Sequence, residues 1–189
     1  MKETEEIELI HSMRTHDHLA HKKLYEHYVR QLTAICQRYV VDQEDVKDVL
    51  QESFLHVFTC FSSFSYRGAG SLEAWITRIV INESLKHLRE KGRLENMLIT
   101  KDDLQKDDCC DDAFDQLETF PQDILHQLIQ KLPDGYRTVL NLYVFEEKSH
   151  KEIGKLLHIN ERTSSSQLHK AKVLLGRWIK EYKKNHAYE

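Results

Sequence analysis

Arg162, Ser164, Ser165, Ser166, Gln167 and Lys170 follow one another closely near the end of this 189-residue chain, bringing together a guanidinium, hydroxyls, an amide and an ammonium group. Arginine can pair with guanine and glutamine with adenine, whereas the serines and lysine better suit phosphate oxygens. A second set, Phe64, Tyr66 and Arg67, lies beside Gly68 and Gly70 and is followed at helical spacing by Arg78, Asn82, Lys86 and Arg89. Aromatic and cationic loop residues next to a basic and amide stripe suit unstacked single-stranded bases, which are held by stacking and base-edge hydrogen bonds. A third set, Asp48, Gln51, Glu52 and Leu55, has the i, i+3, i+4, i+7 spacing of a single helical face. Alone, that face reads either as a docking patch or as a solvated surface with one stray leucine.

Bond-making chemistry finds no comparable support. The 12 histidines form no His-Glu-x-x-His pattern, and Cys36, Cys60, Cys109 and Cys110 form no Cys-x-x-Cys pair. Neither a zinc site nor a disulfide framework is indicated. No nucleophile, base and orienting group assemble from motif spacing, so a small hydrolase is set aside. The expectation is a nonenzymatic binding protein with no catalytic residues, metal or cofactor.

The elements that must position these residues are helical. Only 6 Gly and 2 Pro are present, and apolar residues recur every three or four positions, which predicts an all-α chain of two small domains joined by a linker. Toward the C-terminus, Pro121 begins a helix with Ile124, Leu125, Leu128 and Ile129 on one face. Pro133 opens the next, which carries Tyr136, Val139, Leu140 and Tyr143. Ser149 and Glu152 then have capping-box spacing ahead of Ile153, Leu156 and Leu157. Asn160 follows almost at once as an N-cap, before Leu168, Ala171, Leu175 and Trp178. Two helices this close must cross steeply. That is the helix-turn-helix arrangement, whose second helix presents its first turns to base edges; the alternative on these residues alone is the solvated face of an ordinary αα-hairpin.

Charge supports the same reading. The chain carries 27 basic and 31 acidic residues, yet from Arg162 to Lys184 there are seven basic residues and one acid. Positive potential is concentrated where a reading helix would lie. In the first half, Leu24, Tyr28, Leu32, Ile35 and Tyr39 form a helical stripe. Asp42 caps a helix buried through Val46, Val49, Leu50, Phe54 and Val57, and Ser71 caps another buried through Leu72, Trp75, Ile76, Ile79 and Val80. The start is acidic and no run of about 18 apolar residues appears, so a soluble, cytoplasmic protein is expected.

Three separated motifs occur in order. They are Asp-Val-Leu-Gln-Glu-Ser-Phe-Leu (48–55), Phe-Ser-Tyr-Arg-Gly-Ala-Gly-Ser-Leu-Glu-Ala-Trp-Ile-Thr-Arg-Ile-Val-Ile-Asn (64–82) and Leu-Pro-Asp-Gly-Tyr-Arg-Thr-Val-Leu-Asn-Leu-Tyr (132–143). With Ser-His-Lys-Glu-Ile-Gly (149–154) and Thr-Ser-Ser-Ser-Gln-Leu-His-Lys-Ala-Lys (163–172), they resemble bacterial RNA polymerase sigma factors of the extracytoplasmic-function subgroup.

The resemblance implies a promoter-specificity factor whose partners are core RNA polymerase, promoter DNA and, in some cases, an anti-sigma factor. It implies that Asp48, Gln51, Glu52 and Leu55 dock on the clamp helices of the largest polymerase subunit. Phe64, Tyr66 and Arg67 would capture a base flipped from the −10 element, with Arg78, Asn82 and Lys86 on the opened strand. Arg162, Ser164, Ser165, Ser166, Gln167 and Lys170 would read the −35 element as duplex, the C-terminal domain resting on the polymerase flap. The expected domains are 1–93 and 120–189, joined by an acidic linker, 94–119, with nine acids and two bases. Asp102, Asp103, Asp107, Asp108, Asp111 and Asp112 could there stand in for phosphates. The alternative is a conventional helix-turn-helix regulator with an N-terminal sensing or dimerisation domain, which would not require the 66–82 segment.

Three positions depart from the family's pattern. Gly154 replaces the usual alanine and should weaken its helix by up to about 1 kcal/mol. His158 replaces the usual turn glycine and reaches positive φ only at some strain. Ser165 stands where many members have a basic residue, so one phosphate contact is expected to be missing.

Overall fold

The structure, a computed structural model, describes residues 3–15, 18–92 and 120–186. The proposed linker and its aspartates lie outside the described residues. The chain divides into two compact units, Met1–Leu88 and Arg89–Glu189, and the described residues contain no strand.

The first unit contains α1 (Glu3–Arg14), α2 (His18–Gln37), α3 (Gln43–Cys60) and α4 (Ser71–Glu90), with a short 3-10 turn over Phe61–Ser63. Leu24, Leu32, Tyr39, Val57, Leu72, Ile76 and Leu88 are almost wholly buried. Burying a leucine or isoleucine contributes about 1.5–3 kcal/mol relative to leaving it exposed. As expected, Asp42 caps α3, its Oδ1 accepting from the amides of Glu44 and Asp45 at 3.0 Å each.

Two expectations need correction here. Ser71 does not cap α4. It lies in the first turn, and its hydroxyl accepts from the Arg67 amide at 3.2 Å. The cap comes instead from α1, as described below. Trp75 is half-buried rather than fully enclosed; its ring meets Phe61 edge-on at 5.9 Å and lies tilted against Phe64 at 5.2 Å.

The second unit contains α5 (Gln122–Lys131), α6 (Asp134–Val144), α7 (His150–Leu157) and α8 (Glu161–Asn185). The long α8 packs against the other three, and the core joins Leu132, Val139, Leu142, Ile153, Leu175 and Ile179. At its centre is a charge: the Arg137 guanidinium is 2% exposed. It donates to the carbonyls of Gln130 at 3.1 Å and Leu132 at 2.7 Å, and it pairs with Asp134. A buried cation needs such partners, and this one also satisfies carbonyls at the end of α5. Tyr143, expected among the apolar positions of α6, is exposed, as are its neighbours Val144 and Phe145.

Candidate nucleic-acid interface

The second unit's helix-turn-helix begins at Ser149. Its amide and hydroxyl donate to Glu152 Oε2 at 2.9 and 2.6 Å, and its hydroxyl accepts from the Glu152 amide at 3.3 Å. These bonds close the predicted capping box and hold the Glu152 carboxyl below its usual range. α7 ends at His158, which takes up the left-handed conformation (φ 56°, ψ 37°). The Ile159 amide then donates to the Gly154 carbonyl at 3.0 Å. Asn160 starts α8, its Oδ1 accepting from the Thr163 amide at 2.7 Å.

Gly154 acquires a different meaning from this geometry. A Cβ added there would lie 2.8 Å from the Ile159 carbonyl oxygen and 3.6 Å from the Glu161 nitrogen. The turn backbone runs directly against α7, so the glycine is required by close approach. Its lower helix propensity is the lesser effect.

α8 does not present all six expected side chains. Arg162, Ser165 and Ser166 are exposed, and Lys170 is half-buried with its ammonium 5.9 Å above the centre of the Tyr136 ring. Arg162, Ser166 and Lys170 border one shallow hollow. Ser164 and Gln167 turn inward: Ser164 is fully buried and its Oγ lies 3.0 Å from His150 Nδ1, while Gln167 is 4% exposed. They continue the buried stripe of Leu168, Ala171 and Leu175 back by one turn. Extending that stripe would have identified both as inward-facing.

In the first unit, the loop before α4 is held mainly from inside. Phe64 is 4% exposed, its ring packed against those of Phe61 and Trp75 in a three-ring cluster, so it does not face outward with Tyr66 and Arg67 as expected. Packing against two rings exceeds what a small exposed loop can offer it. Tyr66 is half-buried, and its hydroxyl donates to Glu3 Oε1 at 2.9 Å. Desolvation and then that carboxylate push its phenol above the usual value. Arg67 is exposed, and the chain turns through Gly68 and Gly70 at φ +119° and +81°. α4 then displays Arg78, Asn82 and Lys86 at four-residue spacing, all exposed. Lys86 pairs with Glu83 at 3.3 Å, which also meets His56 of α3 at 3.0 Å. Burial pushes the Glu83 carboxyl up, but the bonds from His56 and Lys86 outweigh it and hold the group below its ordinary value.

The third set lies on α3. Asp48, Gln51, Glu52 and Leu55 are all exposed, Leu55 by 51%. Gln51 and Leu55 also border a groove between α2 and α3 lined by Tyr25, Val29, Val46, Phe54 and Phe58. The leucine therefore belongs to an apolar hollow rather than standing alone among polar groups. Sequence reasoning missed Tyr25 and Val29, although each lies one residue beyond a member of the Leu24–Tyr28 stripe. Among the described residues, no group of three or more His, Cys, Asp or Glu forms a metal-ligand set, and no helix is long and apolar enough to cross a membrane.

Comparison with known proteins gives these surfaces a common context. Residues 24–94 match sigma-70 region 2, and residues 122–175 match sigma-70 region 4. The chain belongs to the sigma-70 family. Relatives include the RNA polymerase sigma-H factor of Pseudomonas aeruginosa, 28% identical over 87% of this chain and 89% of that protein. The ECF RNA polymerase sigma factor SigW of Bacillus subtilis is 25% identical over 91% of this chain and 95% of its own. The ECF RNA polymerase sigma-E factor of Haemophilus influenzae is also 25% identical, over 88% and 91%. The match extends over nearly the full length of each relative, so the chain is a sigma factor of the extracytoplasmic-function type, binding core polymerase and directing promoter-specific initiation. A regulator with a sensing or dimerising N-terminal half is not favoured, because that half is region 2.

Proposed function

We propose that this sigma factor divides initiation among its three exposed faces. Asp48, Gln51, Glu52 and Leu55 dock on the clamp helices of the largest polymerase subunit, with Leu55 and the groove beside it supplying apolar contact. Tyr66 and Arg67 take a base flipped from the −10 element, while Phe64 supports them from within the fold. Arg78, Asn82 and Lys86 hold the opened strand. Arg162, Ser165, Ser166 and Lys170 face the −35 duplex. Ser164 and Gln167 set the orientation of that helix instead of touching bases.

The observation that supports this most is the row of Arg78, Asn82 and Lys86, exposed on the helix that follows directly from the Tyr66–Arg67 loop. A cationic and amide row leading from an aromatic loop suits a single strand better than a duplex groove. Flipping a base costs a few kcal/mol of unstacking, which contacts made by the docked polymerase offset. The factor itself contributes no bond-making group. It works in the cytoplasm, where polymerase and chromosome meet, and an anti-sigma partner covering these faces would silence it.

Purified protein mixed with core polymerase on genomic DNA fragments tests the reading. Discrete promoter-dependent transcripts that require the chain are expected. No such transcript, together with no binding to core, would sink it.

A further inference from the structure

The loop that bears Tyr66 and Arg67 is held from a helix that lies far away in sequence. Glu6, on α1, is only 3% exposed. Its Oε2 accepts from the Gly70 amide at 2.9 Å, and its Oε1 accepts from the Leu72 amide at 3.0 Å. Both carboxylate oxygens are thereby spent on the first turn of α4. That turn has little cap of its own, since Gly70 has no side chain and the Ser71 hydroxyl accepts from Arg67. On the same helix, two turns later, the Arg14 guanidinium donates to the Phe64 carbonyl at 3.3 Å. α1 is itself anchored by the buried Leu9, Ile10 and Met13. Residues 65–69 thus run between two points fixed by one helix.

We propose that Glu6 is a positioning residue for promoter opening, its carboxylate holding the Tyr66–Arg67 loop and the start of α4 in the form that meets DNA. This inference rests on the reading of that loop as the −10 contact. A carboxylate suits this position because it is acceptor-only, so both oxygens can take an amide, and because its charge favours the positive end of α4. Glutamine keeps one acceptor but turns an amide group toward the second N–H, leaving a buried donor opposed by a donor. Glu6→Gln therefore preserves volume while loosening the loop.

The test uses holoenzyme assembled with Glu6→Gln, Glu6→Asp and, as a separate arm, Tyr66→Ala. Core affinity and the rate of open-complex formation on one duplex promoter are measured for each. Glu6→Gln should slow opening by about tenfold or more, the effect of losing a hydrogen bond to a charged group. Core affinity should be unchanged. Glu6→Asp, which keeps the charge on a shorter stem, should recover part of the opening rate. Loss of core affinity in parallel with opening would overturn the proposal, because Glu6 would then support the fold as a whole. Normal opening by Glu6→Gln alongside impaired opening by Tyr66→Ala would overturn it while leaving the loop reading intact. Normal opening by both would remove the loop reading, and the proposal with it.

Discussion

The carbonyl oxygen of Ile159 lies 2.8 Å from the point where a side chain on Gly154 would begin. The sharp turn of the helix-turn-helix depends on that space. Gly154→Ala would gain up to about 1 kcal/mol in helix propensity. It would also force a methyl group into backbone that cannot swing aside, an overpacking cost of about 1–3 kcal/mol. A lower melting temperature for the second unit's transition is the expected outcome, and a higher one would contradict the packing argument.

His158 supplies the companion experiment. It holds φ at 56° without being glycine, a conformation that costs an ordinary residue about 1–2 kcal/mol. His158→Gly should raise the melting temperature, the gain being reduced by the greater freedom of glycine in the unfolded chain. Thermal denaturation followed by circular dichroism distinguishes a rise from the fall that would count against strain here.

On α8, Arg162 is exposed whereas Ser164 is fully buried, and the two should respond differently to truncation. Arg162→Ala should weaken discrimination at one position of the −35 element by about 1–3 kcal/mol, the worth of a good bidentate base contact. Ser164→Ala should lower stability through its lost contact with His150 and leave the order of preferred −35 sequences unchanged. Binding to a panel of −35 variants reads both effects. A reordered preference in the Ser164 variant would place that residue back at the DNA.

Glu83 joins α3 to α4 through His56 and carries a lowered pKa. A carboxylate whose folded pKa is depressed stabilises the protein above its ordinary value of 4.5 and loses that contribution as pH falls through the lower folded value. Glu83→Gln should therefore reduce the first unit's stability at neutral pH, with the gap to the parent protein closing below the ordinary carboxylate range. Urea melts across that range check the sign. A gap that widens toward acid would mean that Glu83 does not stabilise the fold as a carboxylate.

Local chemistry was legible in the sequence wherever it depended on near neighbours. Asp42, the Ser149–Glu152 box and Asn160 can be recognised because a cap and its amide lie within a turn of each other. Contacts closed by tertiary structure were not. Glu6 caps a helix more than sixty residues away, which the residues around Ser71 do not reveal. Phe64 looked available because it lies in a loop, but Phe61 and Trp75 enclose it from two elements. Gly154 looked like a propensity defect, since the nearness of Ile159 exists only once the turn has formed. Ser164 and Gln167 differ from these cases. Their inward direction was present in the α8 periodicity, and their polar character obscured it.

The division of surfaces in the first unit is tested most directly by measuring core affinity and promoter opening side by side for Asn82→Ala and Leu55→Asp. Asn82→Ala should bind core normally and open promoters poorly. Leu55→Asp should lose core affinity, and raising the core concentration should restore its opening. If both variants lost core affinity equally, or if Asn82→Ala opened promoters as well as the parent protein, the separation of a docking face on α3 from a strand-holding face on α4 would be contradicted.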